Sequence, residues 1–164
     1  MILEEQGEQH LFIAPDSVEF LSLLGPTFTD FFNSINFNWQ RLAGAKVLQI
    51  EDMDPFDYVD LIARTVSGNY LDHGVRVNSV STSYRISGTG FSQRLGDLAG
   101  PLTVDQTSLK VRLTTVNSTK VETVTIPFVA NYIGAPFTDQ ASLCVFLFLT
   151  YLQALFNLIY QLGK

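Results

Sequence analysis

The run Gly44-Ala-Lys-Val-Leu-Gln-Ile-Glu-Asp-Met-Asp-Pro-Phe-Asp-Tyr-Val-Asp-Leu-Ile-Ala63 decides the reading of this chain. Val47, Leu48 and Ile50 make a short buried strand, and Glu51-Asp52-Met53 turns the chain. Asp54 stands where an N-cap accepts hydrogen bonds from the free amides of a helix start. Pro55 follows at the first helical position, where its missing N–H costs nothing. Asp57 adds a carboxylate near the positive end of the helix dipole. Tyr58, Val59, Ile62, Ala63 and Val66 then recur at helical spacing and give one apolar face.

Outward from that unit the pattern is β-rich. Ser108 to Val116 and Val121 to Val129 read as a hairpin, with Leu109, Val111 and Leu113 alternating with Lys110, Arg112 and Thr114, and Asn117-Ser-Thr-Lys120 joining the strands. Residues 11–24, bounded by Pro15 and Gly25-Pro26, alternate enough to predict one or two strands. Thr27 to Arg41 holds the densest aromatic patch and reads as a short helix or an irregular segment packed on the sheet. Ser67 to Gly74 is a loop by composition. Val75 to Ile86 alternates in part, until Ser87-Gly-Thr-Gly90 breaks it. The acidic residues 1–10 are expected to fray, and they lack the apolar core of a signal peptide. Either the protein stays inside the cell or the chain has lost its natural beginning.

Composition excludes some functions. With 46 % hydrophobic and 16 % charged residues the chain can bury a core, and 164 residues suit one domain with an appendage. A formal charge of −6, with the basic residues scattered, excludes a nucleic-acid partner, since phosphate binding needs a basic face. Cys144 is the only cysteine, so no internal disulfide forms. Asn117-Ser118-Thr119 is a sequon that accepts a glycan only in a secretory compartment.

The last segment differs in kind. From Gln140 to Gly163 there is no charged residue, and Leu143 to Leu152 is almost continuously apolar. Three readings stand open for 140–164. Residues 141–162 are long enough for a membrane span, which takes about 20 apolar residues. Thr150, Gln153, Asn157 and Gln161 on one helical face suit a packed helix equally well. The third reading is translated intron sequence appended by a faulty gene model.

The inventory of chemistry-bearing residues assigns no catalytic residue, no metal ligand and no cofactor. No Gly-x-Ser-x-Gly elbow and no Ser-x-x-Lys occur. His73, in Asp72-His73-Gly74, and His10 are the only imidazoles; both read as structural, because no nucleophile is identifiable beside either. Cys144 sits in an apolar run and reads as a small hydrophobe. Asp52, Asp54, Asp57 and Asp60 resemble a calcium ladder, but position six of the loop is Asp57 and position twelve is Ala63, where glycine and glutamate are required. Gly88-Thr-Gly90 lacks the third glycine of a phosphate loop. A strand edge beside a helix is, however, the geometry that accepts an extended peptide by adding it to the sheet, and helix 55–66 with the strand before the hairpin is where such a groove is expected.

Several phrases then point one way: Leu-Phe-Ile-Ala-Pro at 11–15, Gly-Ala-Lys-Val-Leu-Gln-Ile at 44–50, Asp-Pro-Phe-Asp-Tyr-Val at 54–59, Gly74-Val-Arg-Val-Asn78, and Glu122-Thr-Val-Thr-Ile-Pro-Phe128. Over residues 11–139 the chain resembles the amino-terminal, PDZ-like half of fungal serine peptidases of family S41, relatives of the chlamydial protease-like activity factor. The resemblance implies an α+β fold: a small, partly open β-barrel with a capping helix, plus a C-terminal apolar helix. It implies extracellular location, with a membrane location as the alternative if 141–162 anchors the chain. The implied partners are an extended peptide or a separate catalytic domain. Arg76 and Asn78 match recurring family positions and read as structural. The family's catalytic serine lies on the carboxyl-terminal side of this region, and Glu8-Gln9-His10 does not match its upstream Asp-Ala-His-like motif. The expectation is therefore a truncated, noncatalytic fragment of a serine peptidase.

Overall fold

The computed structural model describes residues 1–129, except 24, 25, 69, 88, 89, 101 and 104, and gives the backbone alone at 84–87 and 90–93. The expected apolar helix at 140–164 lies outside the described residues, as do residues 130–139 and Cys144. Among the described residues no helix is long and apolar enough to cross a membrane.

The first ten residues are ordered, against the expectation of fraying. Strands β1 (Ile2–Glu5) and β2 (Glu8–Phe12) form a hairpin on the two-residue turn Gln6-Gly7, with φ of 57° and 83°. Two positive φ values in succession give the turn whose twist matches paired strands. Met1 fastens the open end through backbone bonds to Phe12 at 2.7 and 2.8 Å, and Lys46 reaches Glu5 at 2.8 Å.

Residues 11–24 hold only the end of β2 and then a helix, α1 (Ser17–Leu23). Pro15 stops the strand, and Phe20 N–H bonding to the Asp16 carbonyl at 3.0 Å opens a helical turn that the alternation of Val18 and Phe20 concealed. α2 (Pro26–Ser34) carries Phe28, Phe31 and Phe32 at helical spacing. Phe32 then packs with Phe37 (rings 5.5 Å apart) and Trp39 (6.3 Å), and the buried Trp39 Nε1 has no hydrogen-bond partner among the described residues. A 3-10 turn at Gln40–Leu42 leads into β3 (Lys46–Ile50).

The turn after β3 is as expected and is tied down. Glu51 and Asp52 adopt positive φ (49° and 63°), Glu51 N–H donates to the Lys110 carbonyl at 2.9 Å, and the Glu51 carboxylate accepts from Lys110 N–H at 2.6 Å. α3 (Pro55–Thr65) begins with the Asp54 carboxylate accepting from Phe56 N–H at 2.9 Å. α4 (His73–Val80) occupies what looked like a half-alternating strand. Asp72 caps it by accepting from Val75 N–H at 2.9 Å, and Val77 and Val80 turn to the core three residues apart. β4 (Ser83–Ser87) and β5 (Gly90–Arg94) form a separate two-stranded sheet, and a 3-10 turn follows at Asp97–Ala99. β6 (Ser108–Thr114) and β7 (Glu122–Pro127) complete the expected hairpin.

Five strands make one antiparallel sheet in the order β1-β2-β3-β6-β7. With helices beside it the fold is α+β. The sheet is open and not closed into a barrel: β1 and β7 are its two edges among the described residues, and β4–β5 pair with each other instead of bridging them. A register shift between Val47 and Gln49 lets Val47 oppose Leu113 and Ile50 oppose Val111. That bulge puts two residues three apart on the same face. Tyr58, Ile62 and Ala63 of α3, with Val80, pack on that face together with Leu109, Val111, Leu113 and Val124. Among the described residues, Ile62, Leu113 and Val80 are the largest fully buried side chains, each stabilising by about 1.5–3 kcal/mol relative to exposure.

Candidate functional site

The inner face of the sheet is wider than the helices covering it. α3 and α4 lie over β3 and β6, and α1 lies over the β2 side. Between them runs a groove of about 370 Å³. Leu11, Val47, Ile50, Leu109, Val111 and Ile126 form its floor; Ile13, Ala14, Ser17, Phe20 and Leu21 form one wall, and Ser81, Thr82 and Leu98 the other. Small-ligand sites have this size and this apolar lining. No charged side chain lines it, and the one charge at its edge, the Met1 ammonium, is bonded to the Phe12 carbonyl, so the side chains offer mainly burial of apolar groups. Sequence reasoning expected a groove beside helix 55–66, none of whose residues lines this one; the lining comes from separated segments, and each residue taken singly reads as core.

The groove has an open strand nearby. Phe128 N–H donates to the Thr107 carbonyl at 2.9 Å, and the β6–β7 register continues from that pair. Hydrogen-bonded pairs alternate along an antiparallel ladder. The backbone groups of Val124 and Ile126 are therefore spent on β6, and those of Thr123 and Thr125 face outward. Ile126, beside them, lines the groove.

The two histidines stand apart. His73 begins α4, half exposed, with Nε2 2.7 Å from Asp60 Oδ1, while Asp60 Oδ2 binds Arg64 Nε at 2.8 Å. The partner of His73 is thus Asp60 of α3. Asp72, its neighbour in sequence, is occupied in capping α4. No serine or cysteine bonds to His73 among the described residues. His10 lies in β2 opposite Leu3.

The acidic residues of the false calcium ladder scatter to separate tasks. Asp52 pairs with Lys110, Asp54 caps α3, Asp57 is exposed, and Asp60 holds Arg64 and His73. No three His, Cys, Asp or Glu side chains converge on a metal position among the described residues. Positions 88 and 89 lie outside the described residues; Ser87 and Gly90 on either side pair in the β4–β5 ladder. Arg76 Nε donates to the Tyr70 carbonyl, which braces the loop before α4, and Asn78 is exposed on α4.

One polar cluster was not legible in sequence. Asp97 Oδ2 accepts from Ser67 Oγ, at the end of α3, and from Ser79 Oγ of α4 at 3.1 Å. Both serines are 5 % exposed. Arg94 donates to the Ser79 carbonyl at 3.2 Å. With no imidazole in this network nothing carries a serine proton onward, and its effect is to tie three segments together. Tyr58, deep in the core, has its phenol pushed up by burial.

No protein-family model, curated protein or solved structure matches this chain.

Proposed function

We propose that this chain is the noncatalytic, PDZ-like portion of an S41-like secreted serine peptidase, and that it positions an extended peptide. Apolar side chains of that peptide enter the groove between α1 and the sheet. The observation that carries the reading is the groove: about 370 Å³, walled by Phe20 and Leu21, floored by β2, β3, β6 and β7, and lined by no charged side chain. An extended strand carries side chains alternately to opposite faces. A peptide paired with the outward amides of Thr123 and Thr125 would send every second side chain past Ile126 into that groove. The β3–α3–β6–β7 succession with its Asp54 cap supports the PDZ-like assignment, since this strand-turn-helix unit recurs in such modules.

The test is fluorescence anisotropy of a labelled peptide of alternating Leu and Thr on the full chain, against Ala14→Trp and Ser17→Trp. Either substitution fills the groove from its wall. Binding at about 10 μM or tighter in the parent, lost in both variants, is the expected result. Equal binding by the variants would refute the groove. Fluorophosphonate labelling of the same preparation checks the noncatalytic part of the reading. A labelled serine in the purified monomer would overturn it.

A further inference from the structure

Beyond peptide binding, we propose a separate site for a neutral saccharide in the depression at the C-terminal end of α2. Asn33, Asn36, Phe37, Asn38 and Gln40 line an open depression of about 370 Å³ there. Part of the backbone at this corner is committed to its own turn. Phe37 N–H returns to the Phe32 carbonyl at 2.8 Å and Asn36 N–H to the Asn33 carbonyl at 3.1 Å, with Asn36 in the left-handed region at φ 53°. What the depression offers a ligand is chiefly its side chains, which make up its lining. Asn38 Oδ1 accepts one long bond, 3.4 Å, from Arg41 N–H. The side-chain amides of Asn33, Asn36 and Gln40 bond to no other described residue.

Each amide presents two donors and an acceptor. Four of them surround one half-buried ring, and that combination selects by elimination. An anion needs a cation, and Arg41 beside the site is paired with Glu122. A divalent cation is ordinarily held with the help of carboxylates, and none lines the depression. A purely apolar ligand would desolvate the amides without replacing their hydrogen bonds. A sugar brings hydroxyls that both donate and accept, with a C–H face to lie against Phe37. Packing of Phe37 on Phe32 fixes that ring in advance.

Trp39 is the only tryptophan of the chain and stands between Asn38 and Gln40 in sequence. Its emission therefore reports on this corner. The full chain is titrated with cellotriose, mannotriose, maltotriose and triacetylchitotriose, followed by Trp39 fluorescence and by saturation-transfer NMR of the sugar. At least one should saturate at about 1 mM or tighter. Asn36→Gly, which keeps the left-handed backbone, and Gln40→Ala should each weaken it by about fivefold or more. No saturable response to any of the four by either method overturns the proposal. So does a response that both variants leave unchanged, and so does an equal response to triglycine amide, which offers amides without hydroxyls. The peptide reading stands or falls separately, because Ala14→Trp and Ser17→Trp leave this corner untouched.

Discussion

Gly96→Ala should be the most damaging small substitution in this protein. Gly96 is buried, and its backbone is extended (φ −77°, ψ 161°), so any residue could adopt the conformation. Space is what forbids a side chain. A Cβ there would lie 2.2 Å from the Val80 carbonyl oxygen, 2.3 Å from Ser81 C and 2.5 Å from Thr82 N. Ordinary carbon–oxygen contacts are about 3.3 Å or longer, so two backbone segments must separate by roughly 1 Å. Overpacking of this kind costs about 1–3 kcal/mol. The shift also carries Asp97 away from Ser67 and Ser79, and hydrogen bonds to a charged group are worth about 1.5–3 kcal/mol. Together the loss is about 3 kcal/mol or more, which lowers Tm by roughly 6–12 °C for a chain of this size. The assay is urea and thermal unfolding followed by Trp39 fluorescence. Gly100→Ala serves as the control, because its nearest neighbour would be the Asp97 carbonyl oxygen at 3.9 Å. Equal midpoints for Gly96→Ala and Gly100→Ala would refute the packing argument.

Asp54→Ala should cost about 1 kcal/mol in urea unfolding and Asp54→Ser far less, because only the alanine leaves Phe56 N–H without its cap; equal losses would show that the cap is not what matters. Ile62→Ala should cost about 2–5 kcal/mol by the same assay, through a cavity between α3 and β6, and a loss under about 1 kcal/mol would contradict the core described here. The Lys46 hydrogen bond holds the exposed Glu5 carboxyl below its ordinary range. A depressed carboxyl contributes stability above its unfolded value and loses it as pH falls through the folded one, so the β1–β2 hairpin should loosen on acidification. Carboxyl NMR titration should find Glu5 low in the parent and ordinary in Lys46→Met, and an ordinary value in the parent would remove the contact from the account.

Local signals that act within a few residues were readable. Asp54-Pro55 marked the start of α3 to the residue, and the alternation of Leu109, Val111 and Leu113 gave the β6–β7 hairpin. Short segments under competing signals were not. Ser17–Leu23 holds Val18 and Phe20 two apart, which a strand also explains, and only the turn opened from Asp16 makes it helical. At 75–80 the decisive signal was Asp72, whose capping bond outweighs the alternation of Val75 and Val77. The N-terminal hairpin depends on Lys46, 41 residues from Glu5 in sequence, and on the two-residue turn at Gln6-Gly7. The groove and the Ser67–Ser79–Asp97 cluster left no trace in the chain order, because both are made by tertiary approach of distant segments.

The pairing of β3 with β6 carries a kinetic consequence. Ile50 and Val111 face each other across a connection that contains α3, α4 and the β4–β5 hairpin. The β6–β7 and β1–β2 hairpins close over short loops and form on the microsecond scale. Joining β3 to β6 must first bring the ends of that long excursion together, which predicts that this step comes late and limits the rate. Because closure entropy grows only as the logarithm of loop length, doubling the excursion adds only about 0.6 kcal/mol. Insertions between α4 and β6 should therefore slow folding little and leave the sheet intact, whereas strand-weakening changes at Val47 or Leu113 act on the slow step itself. The excursion is where this fold can lengthen cheaply, and the β3–β6 seam is where it is timed.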